Sequence, residues 1–340
     1  MKIVLLGDIY FTRKFSNELE EDLRRALKTG FAAGNLEAPL CDGGTLMEKY
    51  SNLRISTSLA SELKELGVDA VSLANNHAMD YGVEGLESTL EHLSRLGIRW
   101  FGAGRSLDEA LAPLEVDGSE GKVCLLGVTT VFVPQARATE SRPGVAGIRL
   151  ETTVTLNPKE ILEEPGAPYI VGARLHDEDV KMLKKKLLDF RKMCDLLVAF
   201  VHWGVGALPY SAIVLNYVRE LGRLLVDSGV DLVVGGHPHI LLPIEKYRGR
   251  FIIYSLGNFV FTERTPLELS SVGGFVEFEF ESPGSTPIKS LKLVPVCLDE
   301  SGIPRRCRNA IQVPEVLLAL SQSEKWGCRY SVEGDSILVE

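Results

Sequence analysis

Short apolar, β-branched runs alternate with amphipathic stretches over residues 1–130. That alternation restricts the chain to layered α/β architectures, because each strand needs a helix to cover it. Ile3-Val4-Leu5-Leu6-Gly7 reads as the first strand. Residues 16–27 begin at a cap residue, Ser16, and carry apolar positions at helical spacing; residues 31–37 return as a strand with its loop. The cycle repeats through helical patterns at 58–67 and 83–97 and strand patterns at 69–74 and 98–104.

Residues 131–168 are less periodic and rich in Pro and Gly, so a long surface excursion, a candidate lid, is expected there. Alternation then resumes: a helix over 177–193 with a solvated Lys184-Lys185-Lys186 face, a strand over 195–204, a helix over 213–227 and a strand over 230–236. In the last third, residues 251–259, 273–280 and 289–296 alternate with period two, as antiparallel strands covered on one face do. They are expected to complete a second sheet. Residues 1–295 read as the main domain, and residues 296–340, with a helix over 313–321, as a C-terminal appendage packed on it.

The net charge of -9 disfavours a nucleic-acid partner or an anionic membrane surface. No run of about 18 uncharged apolar residues occurs, so membrane insertion is not expected. The apolar start of the chain is too short for a signal-peptide core, which points to a cytoplasmic protein. Six cysteines, Cys41, Cys124, Cys194, Cys297, Cys307 and Cys328, form no C-x-x-C pair and read as buried free thiols.

Polar residues gather just beyond the strand patterns. They are Asp8, Asn35, Glu37, Asn76, His77, His202, His237 and His239. Open α/β sheets bind ligands beyond the carboxyl ends of their strands, so these groups are expected to meet in one crevice. Two carboxylates, an amide oxygen and three imidazoles suit divalent ions such as Mn, Fe or Zn, without choosing among them. Most of these residues are individually weak signals, since a Gly-Asp pair is commonly a turn and a lone His commonly a core residue. Gly235-Gly236-His237-Pro238-His239 is more specific, because the proline stiffens the backbone between two imidazoles.

Asp, Glu, Asn-His, His and His-x-His in that order resemble the calcineurin-like metallophosphoesterase superfamily. Within it, the runs A-N-N-H-A-M-D-Y-G, V-H-W-G, G-G-H-P-H-I-L-L-P-I-E and I-I-Y-S-L-G-N-F-V-F resemble the CapA family of capsule and poly-gamma-glutamate synthesis proteins. The resemblance spans residues 1–261 discontinuously. It implies a four-layer α/β/β/α sandwich of two mixed sheets, with two divalent metal ions at one rim. Asp8 and His239 would hold one ion, Asn76, His202 and His237 the other, and Glu37 would bridge them. His77 would act on the leaving-group oxygen, with Asp80 fixing its tautomer, and a metal-bound water would be the nucleophile. Independently of the resemblance, Asn258 in S-L-G-N-F reads as a strand-end residue that either supports the site from behind or makes a structural turn.

Three features depart from the family pattern. Tyr10 stands where the superfamily commonly has a ligand histidine, so either Asn35 takes that place or the site is weak or mononuclear. Glu37 replaces the usual bridging Asp. Val205-Gly206-Ala207 replaces a Glu-Tyr pair. The resulting expectation is a phosphoesterase acting on a small or polymeric anionic substrate. Its alternatives are an accessory protein in polymer synthesis, or a gamma-glutamyl amide hydrolase.

Overall fold

Alternation within single strands decides the layering in the computed structural model, which describes residues 1–155, 158–166, 170–206, 210–263, 271–281 and 288–340. In Lys2–Tyr10, Ile3 and Leu5 enter one apolar cluster while Val4 and Leu6 enter another. In Gly121–Thr129, Val123 and Leu125 enter that same first cluster, whereas Cys124, Leu126 and Val128 enter a third. Strands buried on both faces require cover on both. The shared cluster is the interior between two sheets, and the other two are the helix-covered outer faces.

The larger sheet runs from Tyr330–Glu333 through Ser336–Val339, Leu291–Leu298, Val272–Glu279, Lys2–Tyr10, Phe31–Leu36 and Ala70–Ser72 to Arg99–Phe101. Lys2–Tyr10 pairs parallel with Phe31–Leu36 and antiparallel with Val272–Glu279, so the sheet is mixed. The smaller sheet runs Ile244–Tyr247, Arg250–Ile253, Leu232–Gly236, Leu196–His202, Gly121–Thr129, Leu114–Gly118. Its central strands are parallel.

Helices Glu21–Leu27, Ser61–Leu66 and Gly82–Leu96 cover the larger sheet with Leu23, Leu63, Leu86 and Leu93, each burial being worth about 2–3 kcal/mol. Two of them stop at Gly67 and Gly97, whose φ values of 93° and 67° lie in the left-handed region that side chains disfavour. Asp177–Met193 and Asn216–Asp227 cover the smaller sheet through Leu183, Leu187, Leu221 and Leu225. The architecture is the expected four-layer α/β/β/α sandwich. Among the described residues, no helix is long and apolar enough to cross a membrane.

Three expectations are corrected. The period-two strands of the last third complete the second sheet only in part: Arg250–Ile253 joins it, whereas Val272–Glu279 joins the first beside Lys2–Tyr10 and Leu291–Leu298 pairs with Val272–Glu279. Alternation reports one-sided cover and is silent on which sheet supplies the neighbours. The excursion at 131–168 is partly regular, since Leu150–Thr155 pairs antiparallel with Ile170–Leu175; residues 156–157 and 167–168 of that stretch lie outside the described residues. Four of the six cysteines are not thiols but form Cys124–Cys194 and Cys297–Cys307 disulfides, leaving Cys41 and Cys328 reduced and buried. Partners 70 positions apart give no local signal.

At the C-terminus, Ser336–Val339 pairs with Leu291–Leu298, and helix Pro314–Lys325 contributes Val316, Ala319 and Leu320 to the inter-sheet interior.

Candidate metal centre

The polar strand-tip residues converge where both sheets end. Asp8 sits at an irregularity of Lys2–Tyr10, where the register shifts against both neighbouring strands, and such bulges re-aim a side chain. Its carboxylate is fully buried. It accepts the Asn35 amide at 2.8 Å on Oδ1 and the His237 backbone N–H at 3.0 Å on Oδ2. Glu37 follows Phe31–Leu36 and is also fully buried; its N–H donates to the Ile9 carbonyl at 3.0 Å.

Asn76 and His77 lie in the loop after Ala70–Ser72, which Asn75 ties down. The Asn75 carboxamide donates to Leu36 O at 2.8 Å and to Asn35 Oδ1 at 3.0 Å, and accepts the N–H groups of His77 and Ala78. His202 ends its strand, while His237 and His239 occupy positive φ values of 93° and 57°. Such backbone costs about 1–3 kcal/mol per residue and persists where surroundings enforce it.

The donor atoms are close. His202 Nε2 lies 3.3 Å from Glu37 Oε1 and 2.7 Å from Asn76 Oδ1. His239 Nε2 lies 3.7 Å from Glu37 Oε1, and its Nδ1 is 3.8 Å from Asp8 Oδ2. Asn258 Oδ1 is 2.9 Å from that same Nδ1, so Asn258 orients His239. Two groups could each hold a cation, Asp8–Glu37–His202 and Glu37–His237–His239, with one ligand atom per residue and all such atoms within 4.8 Å. Glu37 is common to both, in the position of a bridge. The family resemblance divides the imidazoles differently, pairing His239 with Asp8 and His202 with His237, and shares the same bridge.

The donors fit divalent cations. Burial lowers the pKa of His202 to about 3, against the opposing pull of Asp8. Burial, then the neighbouring imidazoles, drives His237 well below its ordinary value. Both are therefore neutral at pH 7 and offer lone pairs, as metal binding requires. The buried His237 Nδ1 makes no hydrogen bond among the described residues.

Beside these groups, His77 Nδ1 lies 2.6 Å from Asp80 Oδ2, and Asp80 is almost fully buried. Burial lowers the His77 pKa to about 4, with Asp80 acting in the opposite direction. Asp80 also accepts the Leu53 N–H at 2.6 Å and the Lys49 ammonium at 2.6 Å. Lys49 further donates to the Asn76 carbonyl at 2.6 Å. Sequence reasoning missed Lys49, which stands in an aperiodic loop with no local signal.

The departures have structural counterparts. The Tyr10 hydroxyl donates to Glu263 at 3.1 Å, and its ring lies 5.0 Å from that of Phe261. Asn35 lies against Asp8, with its Nδ2 also 3.4 Å from His202 Nδ1. Ala207 lies outside the described residues. Arg105 pairs with Glu87 on the surface, and His92 bonds the Ser88 carbonyl within its helix.

The fold is that of the calcineurin-like metallophosphoesterase superfamily. The model of the family "Bacterial capsule synthesis protein PGA_cap" matches residues 2–263, and the chain belongs to that family, the CapA-like branch of the superfamily. It is 31% identical over 236 residues to the PGA biosynthesis protein CapA of Bacillus subtilis, covering 68% of this chain and 53% of that protein. It is 26% identical over 314 residues to the capsule biosynthesis protein CapA of Bacillus anthracis, covering 91% of this chain and 68% of that protein. The chain thus spans about half the length of the B. subtilis relative. A phosphatase of known structure from Mycoplasma pneumoniae aligns over 87% of this chain and 93% of its own, with 15% identity and a TM-score of 0.49.

Proposed function

We propose that the chain is a metal-dependent hydrolase of phosphoesters with a binuclear centre. Asp8 and His239 would hold one ion, Asn76, His202 and His237 would hold the other, and Glu37 would serve both. The convergence of two donor groups on the buried Glu37 supports the binuclear reading, while this division of the imidazoles rests on the family resemblance. Two divalent ions supply Lewis acidity, making water a competent nucleophile near neutral pH and offsetting charge on phosphoryl oxygens.

The chain's own residues do the rest. Asp80 accepts a hydrogen bond from the Nδ1–H of His77, which leaves Nε2 as the nitrogen that meets the leaving-group oxygen. An anionic phosphoester beside His77 favours its protonation, opposing the burial that otherwise keeps it neutral. A positioned proton donor of this kind is worth roughly 10²–10⁴-fold in rate. Lys49 holds Asp80 in place.

Metal content and turnover test the reading together. Protein loaded with Mn, Fe or Zn should hold two ions and cleave aryl phosphates. His77→Ala should keep both ions and lose turnover; losing the ions as well would make His77 a ligand. Two ions without turnover on aryl phosphates or gamma-glutamyl peptides would favour an accessory role in polymer synthesis, the second reading, which Tyr10 supports by withholding an imidazole. Cleavage of gamma-glutamyl peptides alone would make the same centre an amide hydrolase. The two disulfides support a compartment more oxidising than a mesophilic cytosol, against the cytoplasmic placement expected from the sequence.

A further inference from the structure

A cavity of about 500 Å³ opens among Thr130, Arg137, Arg142, Arg149 and His176. Three guanidinium groups and an imidazole line it, and no carboxylate does so among the described residues. Its wall touches the strand that carries His202: the Thr130 N–H donates to the His202 carbonyl at 2.9 Å.

Two of the arginines are fixed from behind by one acid. Buried Asp179 takes Arg149 in a two-pronged pair at 2.7 and 3.0 Å and Arg137 at 3.1 Å. Glu178, exposed, lies 3.5 Å from Arg149. Arg142 differs, since its side chain reaches only the carbonyls of Pro134 and Arg137 and no carboxylate among the described residues. Glu151 lies 3.9 Å from the His176 imidazole and also pairs with Arg174, so the unneutralised charge facing the cavity among the described residues, on a chain whose net charge is -9, is that of Arg142. Guanidinium forks match carboxylate and phosphate oxygens, and arginines already held in place lose little freedom on binding. The volume falls in the range of small-molecule sites, and Phe132, Pro134 and Leu150 supply apolar wall for a carbon stem.

We propose that this cavity is an oxyanion subsite, independent of the metal centre, that grips a carboxylate or phosphate borne by an organic ligand. That the ligand is the remote end of the substrate rests on the hydrolase reading; the binding itself does not.

The test uses full-length protein stripped of metal with a chelator, titrated separately with inorganic phosphate and with tri-gamma-glutamate. At least one probe should bind, and which one does identifies the oxyanion. Arg142→Glu should weaken that binding at least tenfold, Arg142→Lys should restore most of it, and Asp8→Asn should leave it unchanged. Thermal melting of each variant reports whether it folds, and exposed Arg142 holds no buried acid whose loss of partner would unfold the chain. The proposal is overturned if neither probe binds, if binding survives Arg142→Glu, or if it disappears in Asp8→Asn. None of these results bears on metal loading or turnover of the unmodified protein, so the hydrolase reading stands or falls separately.

Discussion

The Asp8 carboxylate accepts the His237 backbone amide at 3.0 Å, joining a strand of the larger sheet to the histidine loop that ends a strand of the smaller one. The contact needs Gly236, because a Cβ there would lie 2.5 Å from Asp8 Oδ1. Gly236→Ala should therefore displace the carboxylate, costing about 1–3 kcal/mol of stability and roughly 10–100-fold in metal affinity. Metal titration and chemical unfolding of the variant check both figures. Wild-type affinity would mean that Asp8 is not held by this approach.

Lys49 stabilises a buried carboxylate and gains nothing from solvent there, with side-chain exposures of 11% for Lys49 and 1% for Asp80. Lys49→Met should cost about 1–3 kcal/mol through the weakened solvation of Asp80. Turnover should fall with two ions still bound, since Lys49 contacts His77 and Asp80 and no proposed ligand side chain. Lys49→Arg should recover part of the rate. Loss of metal in Lys49→Met would show instead that the loop carrying Asn76 has collapsed.

Acid should release a defined part of the stability at Asp179. Burial works against its ionisation, but the hydrogen bonds from Arg149 and the charge of Arg137 prevail and lower its pKa below 3.8. A depressed folded pKa contributes stability above the unfolded value, and that contribution disappears as pH falls through the folded one. The difference in urea stability between wild type and Asp179→Asn should be constant from pH 7 to 5 and shrink below about pH 4. A difference unchanged down to pH 2 would count against the pairing.

Thiol counting tests the disulfides. In denaturant without reductant, only Cys41 and Cys328 should react with a thiol reagent, and all six cysteines should react after reduction. Reduction should also lower stability by about 2–4 kcal/mol for each bridge lost. Six reactive thiols before reduction would restore the expectation of free cysteines.

Much of the molecule is legible in local pattern. Strand and helix periods placed Ile3, Val198 and Leu221 inside, and the strand-tip polar residues meet as a cluster because parallel strands deliver their carboxyl ends to one rim. Asn258 reaches His239 from the first position of the strand Asn258–Phe261, which the sequence marked only weakly. Lys49, the Arg142 cavity and the Cys124–Cys194 bridge carried no such mark.

Period and residue type are properties of a few neighbouring positions, and they were enough for the layered α/β class and for the kinds of donor at the centre, while the four-layer arrangement came from the family resemblance. They were not enough for sheet membership, because Leu5 finds Val276 only when chain segments 271 positions apart come together, and either sheet satisfies the same alternation. Only the folded chain could seat Lys49 on Asp80, gather three arginines around one cavity and bring two cysteines within bonding distance. Each depends on loop closures whose cost and reward are set by the whole packed core.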